Sequence, residues 1–278
     1  MVKVVTDSCS DITAELAREF GISVMPLYVQ FGDETYRDNV DLSTEEFYRK
    51  LETSKIHPTT ATASPADFAG LFGQLAQETN EILVITLSEE FSATYAAALE
   101  GKTMVDKDCR IEVIDSKAGA GGQMLLVLWA ARMARSGADL DQIADRVKRA
   151  LSRVHVRMSF DTLEYLRRGG RIGKAQAFLG GLLKVNPVMG IKDGGAFPIA
   201  RPRSRAQAMD FLVNFVRGFS QIEALAIEDA TTPDDLEVLA GRLKDIVPPE
   251  RTYRSKVTPV VGTHVGPHVL AVSVMEEE

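Results

Sequence analysis

The densest run of reactive polar side chains lies just past the middle of the chain, where Leu163 to Gly173 reads LEYLRRGGRIG. Arg167, Arg168 and Arg171 flank two adjacent glycines, Gly169 and Gly170. Guanidinium groups offer forked donors matched to planar oxyanions, so this pattern suits a carboxylate or a phosphate. Glycine takes positive φ at little steric cost, so the backbone can turn here and aim the arginines inward. The same residues would also end a helix, with Gly169 just past the last turn and the arginines against the negative helix end. The surroundings favour a site. From Arg153 to Arg205, eleven Lys and Arg stand against three acids, Asp161, Glu164 and Asp193, a balance of +8. The whole chain carries −7, so the remainder carries −15. A basic tract within an acidic protein points to an anionic ligand or an acidic partner. Nucleic acid fits poorly: the pI is near 5.3, aromatics are not interleaved with the arginines, and no nucleic-acid motif is present.

Other residues offer different chemistry. Ser92, His264 and Asp115 are the types of a nucleophile, a base and an orienting acid, but a triad is defined by geometry rather than by sequence position. With only four histidines among many serines, such a trio is easily assembled by chance. His264 lies in Gly262-Thr-His-Val-Gly-Pro267, where flanking glycines would let a ligand approach the backbone. Its imidazole could donate to an oxyanion or order its neighbours, or simply end a strand. There is no Walker A sequence, no G-x-S-x-G elbow and no clustered set of metal ligands. Gly119 to Gly122 only echoes a dinucleotide loop. Phe178, Leu179, Leu182, Leu183, Val185 and Met189 exceed what one exposed helix needs. They suit a core, and an elongated apolar ligand would need such a lining.

The elements that must hold these groups follow from pattern. Val2 to Thr6, Glu81 to Thr86 and Ile111 to Ile114 read as buried strands, each followed by a helical stretch. Alternation of this kind predicts a three-layer α/β/α unit with a largely parallel sheet. Asp7 and Ser8, Thr86 and Ser88, and Asp115 and Ser116 all follow strands, which predicts a polar pocket at the carboxyl edge of the sheet. Ser43 with Glu46, and Ser64 with Pro65 and Asp67, mark helix starts; Ser10 and Asp11 read as caps. Ser23 to Phe31 and Glu34 to Arg37 read as an extended pair, and His57 to Ala63 as a hydroxyl-rich loop. Beyond Arg153 the pattern predicts a mixed α/β unit. Val154 to Phe160 is a strand and Lys174 to Leu183 an apolar helix. Val188 to Lys192 and Ala196 to Arg201 form a hairpin around Asp193-Gly-Gly195. Ser204 to Gly218 is a helix, Ala224 to Glu228 a strand, and Thr232 opens a helix running to Ile246. Val260 to His264 and Val269 to Val274 are closing strands. The expected domains are therefore residues 1–152 and 153–278, with the ligand pocket at their junction.

With 278 residues, 45% apolar and 26% charged, the chain has the composition of an ordinary globular protein. Cys9 and Cys109 fit no metal or redox spacing, which favours a reducing compartment. The longest aliphatic stretch, Met124 to Ala131, is far too short to span a bilayer. Met1 to Asp7 holds no apolar signal core, so a cytoplasmic setting is expected.

Several motifs occur in order along essentially the whole chain. They are Thr6-Asp-Ser8, Pro58-Thr-Thr60, Thr86-Leu-Ser88 followed by Ser92-Ala-Thr-Tyr95, Val113-Ile-Asp-Ser116, Leu163 to Gly173, Arg203, and Gly262 to Pro267. In these the chain resembles the DegV family of bacterial fatty-acid-binding proteins. The resemblance implies a two-domain α/β protein that buries a long-chain fatty acid, has no other cofactor or metal, and is not itself an enzyme. It implies that the acyl carboxylate is presented to a separate fatty-acid kinase, which makes acyl phosphate for phospholipid synthesis. Thr60 and Ser92 match the hydroxyls that hold the carboxylate, Arg171 and His264 their supporting network, and Arg203 a basic surface that meets the kinase. The family's usual Thr-Ser-Gln-Pro run appears here as Thr60-Ala61-Thr62-Ala63, Glu89 and Glu90 replace small residues, and His268 replaces a glycine. A lipid carrier or sensor without a kinase, and an acyl-directed hydrolase using Ser92 and His264, are the alternatives.

Overall fold

The structure, a computed structural model, describes residues 1–105, 108–178 and 185–278. The first part of the chain runs β1 (Lys3–Asp7), α1 (Ala14–Phe20), β2 (Ile22–Met25), β3 (Tyr28–Phe31), β4 (Glu34–Arg37), α2 (Thr44–Thr53), β5 (Thr59–Ala61) and α3 (Pro65–Leu75). It continues with β6 (Glu81–Thr86), α4 (Thr94–Thr103), β7 (Arg110–Asp115), α5 (Ala120–Arg135) and α6 (Leu140–Ala150). The second part runs β8 (Val154–Ser159), α7 (Glu164–Arg168), β9 (Val188–Lys192), β10 (Gly195–Ala200), α8 (Arg205–Arg217) and β11 (Ile222–Asp229). It ends with α9 (Pro233–Leu243), β12 (Thr252–Lys256), α10 (Pro259–Val265) and β13 (Leu270–Glu276).

Among the described residues the strands form three sheets. One is four-stranded and parallel, in the order β2-β1-β6-β7. A second, in the order β10-β9-β8-β13-β11-β12, is antiparallel apart from the β11–β12 pair. A small antiparallel sheet, β4-β3-β5, stands beside them. The fold is α/β, with the parallel and mixed sheets that the alternation predicts.

The two larger sheets share α5. Twelve of its residues are buried, and it packs on β1 and β6 on one side and on β8, β11 and β13 on the other. A helix apolar on all sides belongs between layers. Its first turn lies close to the mixed sheet because Gly121 and Gly122 carry no side chain. A Cβ at Gly121 would lie 2.8 Å from Ala226 Cβ, and one at Gly122 2.5 Å from Val156 Cγ2. The glycine cluster that echoes a dinucleotide loop is thus a helix-packing device.

Several elements differ from the sequence expectation. Val260 to His264 is not a strand but the core of α10. Thr258 is extended (ψ 162°) and Pro259 takes the first helical position, where its missing N–H costs nothing; the β-branched valines masked this start. Thr252–Lys256 is an edge strand whose polar TYRSK sequence gives no alternation signal. Thr59–Ala61, expected as loop, pairs with β3. Gly173–Phe178 forms a 3-10 turn rather than the start of an α-helix. The rest of that expected helix, with Leu179, Leu182 and Leu183, lies outside the described residues. The β9–β10 hairpin forms as expected, with Asp193 (φ 53°) and Gly194 (φ 82°) both left-handed, as a two-residue I′ turn requires. Its tip packs on the loop after β6, where a Cβ at Gly194 would lie 2.5 Å from Ser88 Oγ.

Candidate ligand-binding site

A cavity of about 230 Å³ lies where the carboxyl edge of the parallel sheet meets the mixed sheet. The loops after β1, β6 and β7 supply Cys9, Leu87 and Gly119; β8 supplies Val156 and Met158; β9 supplies Met189 and Ile191. The wall is chiefly aliphatic. This corrects the expectation that the strand-end polar residues would line it. Asp7 accepts from the N–H groups of Leu87 (2.7 Å) and Cys9 (3.0 Å) and from Gln123 Nε2 (3.1 Å). Ser8 Oγ accepts from Leu27 N–H, and Ser116 Oγ donates to Ala118 O. Asp115 pairs with Lys117, which also neutralises Glu89. These side chains tie the strand ends to one another, and the apolar residue next along each loop faces the cavity. Burial pushes Asp7 up to about 6 despite its donors. Asp11 does not open the following helix, which Thr13 caps: it closes the 3-10 turn Ser8–Ser10 in the left-handed conformation (φ 52°), and its carboxylate accepts from Thr258 N–H and Oγ1–H.

The cavity's polar wall gathers Thr60, Thr62, Ser92, Arg171 and His264. Thr60 sits on β5, placed by its pairing with Val29. Its Oγ1 is 2.9 Å from His264 Nε2. His264 is carried by α10, which is fastened to α2: Tyr48 Oη donates to Val257 O at 2.9 Å, and a Cβ at Gly262 would lie 2.8 Å from Phe47. Gly266, at φ 83°, lies against the ring of Tyr165. The glycines around His264 therefore serve packing of α10 rather than close approach of a ligand.

Burial, reinforced by the charge of Arg171, holds His264 down to about 4, so its imidazole is neutral at pH 7. His264 Nδ1 is buried without a hydrogen-bond partner among the described residues, against the α-carbon of Gly169. A buried, unpaired N–H costs more than an unpaired lone pair, so the proton belongs on Nε2, donated to Thr60 Oγ1. The Thr60 hydroxyl proton is then free for the cavity.

The arginine stretch divides. Arg167 and Arg168 turn outward and pair with Glu164 at 2.7 Å each. Arg171 turns inward, donating through Nε to Phe91 O (3.0 Å) and through Nη1 to Gly169 O (2.8 Å). Gly170 (φ 69°) makes the turn, whereas Gly169, which ends α7, remains right-handed at φ −74°. Ser92 Oγ contacts Thr94 Oγ1 at 2.8 Å, while Asp115 is held by Lys117. The trio Ser92, His264 and Asp115 is not assembled. Arg203 lies apart from the cavity, exposed before α8, with its backbone N–H donating to Gln207. The sequence reasoning missed Thr62 and Thr94. The signal was available for Thr62, since residues two apart on an extended segment share a face.

The DegV family model, described as "Uncharacterised protein, DegV family", matches residues 1–277. A DegV domain-containing protein of Caldanaerobacter subterraneus is 36% identical over 275 residues, covering 98% of this chain and 97% of the relative. Among solved structures, a DegV family protein from Thermus thermophilus, described for fatty acid binding, superposes with a TM-score of 0.92 at 29% identity, with 99% of each chain covered. A stearic acid-binding protein from Eubacterium ventriosum superposes with a TM-score of 0.90 at 25% identity, covering 99% of this chain and 98% of that one. With the family model spanning nearly every residue and the sheet arrangement matched along the chain, this protein belongs to the DegV family.

Proposed function

We propose that this protein binds a long-chain fatty acid, with the acyl chain in the aliphatic cavity and the carboxylate at Thr60 and Ser92, supported by Arg171 and His264. One observation carries the reading: an apolar cavity whose polar lining, among the described residues, is chiefly three hydroxyls, a neutral imidazole and one guanidinium. Each buried methylene contributes about 0.8 kcal/mol, so the chain supplies most of the affinity and the carboxylate contacts set its register. The solved structures described above for fatty acid and stearic acid binding support the same ligand class. The two units of the chain meet near Arg153, with the ligand at their junction.

The bound acid is presented to a fatty-acid kinase in the cytoplasm, and the protein itself is a carrier rather than a catalyst. Arg203, exposed and with no side-chain partner among the described residues, is the residue we assign to that encounter. Mass spectrometry of the purified protein, native and then after organic extraction, tests the ligand. A stoichiometric adduct that extracts as a fatty acid is expected. A protein that purifies empty and takes up no added fatty acid would overturn the proposal.

A further inference from the structure

Taking the fatty-acid reading as its basis, we propose that Asp11 and Asp38 are positioning residues for the ligand site: they receive the hydrogen bonds at the start of α10, and through that helix they hold His264 against Thr60. α10 forms one wall of the cavity, to which it contributes Val260, Val261, His264 and Val265. Its place decides whether His264 Nε2 meets Thr60 Oγ1, now 2.9 Å away. Neither Asp11 nor Asp38 lines the cavity, and both are buried.

The start of α10 gives up a local cap for two distant ones. Thr258 occupies the N-cap position, where a threonine hydroxyl ordinarily accepts from an N–H of the first turn. Here it makes no such bond. Its Oγ1 lies 2.6 Å from Asp11 Oδ1, and its N–H donates to the same oxygen at 3.0 Å. Pro259 has no N–H to satisfy. The Val260 N–H left over by Thr258 donates to Asp38 Oδ2 at 3.3 Å. The partners are 247 and 222 positions apart in the chain, so these bonds tie the helix to other elements as well as ending it. Asp38 follows β4 directly, and its own N–H donates to Leu27 O, just before β3. β3 pairs with β4 on one side and on the other with β5, which carries Thr60. Asp38 thus joins the helix of His264 to the small sheet of Thr60. Packing of Gly262 on Phe47 and of Gly266 on Tyr165 sets how closely α10 approaches its neighbours. The directional bonds at its first turn set where it stands along its own axis. His264 lies in the last turn of the same seven-residue helix, so a shift at the start is carried to the imidazole.

The test compares wild type, Asp38→Ala and Asp38→Asn at pH 7.5, well below the melting temperature of each. Two quantities are read: the His264 imidazole resonances of the ligand-free protein, and the affinity for hexadecanoate by displacement of a fluorescent fatty acid. Asp38→Ala should move the His264 resonances and weaken hexadecanoate binding about tenfold, the equivalent of about one hydrogen bond. Asp38→Asn keeps an oxygen that accepts from Val260 N–H, so it should restore both. If Asp38→Ala does not fold, Thr258→Val takes its place, with Thr258→Ser as its rescue; it removes the hydroxyl contact to Asp11 and keeps both N–H bonds, and the same two readouts should move. A folded Asp38→Ala or Thr258→Val with unmoved His264 resonances and wild-type affinity would overturn the inference and mark the acids as merely structural. Failure of the asparagine or serine to rescue would overturn it as well. A wild type that takes up no hexadecanoate overturns the fatty-acid reading alone, since the ligand-free His264 resonances still decide the positioning role.

Discussion

Replacing Asp38 by Asn should flatten the dependence of stability on pH between about pH 4.5 and 7.5. Asp38 is 2% exposed, and Asp7, Asp11 and Glu228, from the β1 strand and its following loop and from β11, are no more than 1% exposed. Val260 N–H donates to Asp38 Oδ2 at 3.3 Å, but Oδ1 has no partner among the described residues. The nearby cation, Lys256, is engaged by Asp229 at 2.6 Å. Burial, first among the causes, pushes Asp38 and Glu228 up to about 7. Asp11 is pushed up by burial and then by the charge of Glu228. A carboxyl group with a raised pKa in the fold holds its proton more tightly there than in the unfolded chain. Its contribution is complete below the unfolded value and is lost as pH rises through the folded one. For Asp38 the shift from 3.8 to about 7, at about 1.4 kcal/mol per pH unit, amounts to about 4 kcal/mol at most. His264, held down to about 4, works in the opposite sense over the same range, but it is common to both proteins and cancels in the difference. Asp41 and Glu164, held near 2 by Arg37 and by Arg167, exert their effect below this window. Urea unfolding at pH 4.5 and 7.5 measures the slope. Asp38→Asn should lose less stability than wild type as pH rises, and should exceed it at pH 7.5. Identical slopes would refute the reasoning, because they would mean that Asp38 titrates alike in the folded and unfolded chains.

Two further outcomes follow from the site. Gly169→Ala places a Cβ on the imidazole of His264, so it should displace the ring from Thr60 and weaken fatty-acid binding by about tenfold, the scale of one hydrogen bond. Equal affinity, with an unmoved His264 resonance in the NMR spectrum, would count against it. Arg203→Ala should slow acyl-phosphate formation by the kinase several-fold, as loss of one exposed interfacial charge does through encounter rate, while lipid retention stays the same. A matching loss of bound lipid would show that Arg203 serves the cavity instead.

The parallel sheet was legible because buried strands followed by capped helices leave a strong local pattern. Ser43 with Glu46 and Ser64 with Asp67 both form capping boxes, and Asp193-Gly194 makes its hairpin. The sites of failure share one physical cause, which is that local pattern is silent about tertiary use. Val260 and Val261 favour strands on propensity, yet Pro259 and the packing of Gly262 on Phe47 and Tyr48 hold them in a helix. Asp7, Ser8 and Ser116 stand where a ligand crevice is expected, but a strand end buried under a second sheet must satisfy its own backbone donors first. Arg167 and Arg168 could not be told from Arg171 by spacing alone. Glu164, three and four residues before them, was the available signal, since such pairs meet on a helix face.

Ser92 shows why the residue types of a hydrolase can form a binding site. A nucleophilic serine needs a base within hydrogen-bond reach to take its proton as it attacks. The base candidate, His264, faces Thr60 through Nε2, and its other nitrogen lies against Gly169 with no acid to orient it among the described residues. Held down to about 4, it is too weak a base to serve near neutrality, where a general base needs a pKa close to the working pH. Ser92 Oγ accepts from the N–H of Thr94 and lies 2.8 Å from Thr94 Oγ1, so its hydroxyl is paired with a second hydroxyl rather than with a base. The same low basicity that disfavours a serine nucleophile suits binding. A neutral imidazole donating to Thr60 leaves that hydroxyl free to donate, beside the Arg171 guanidinium, as the proposed carboxylate site requires.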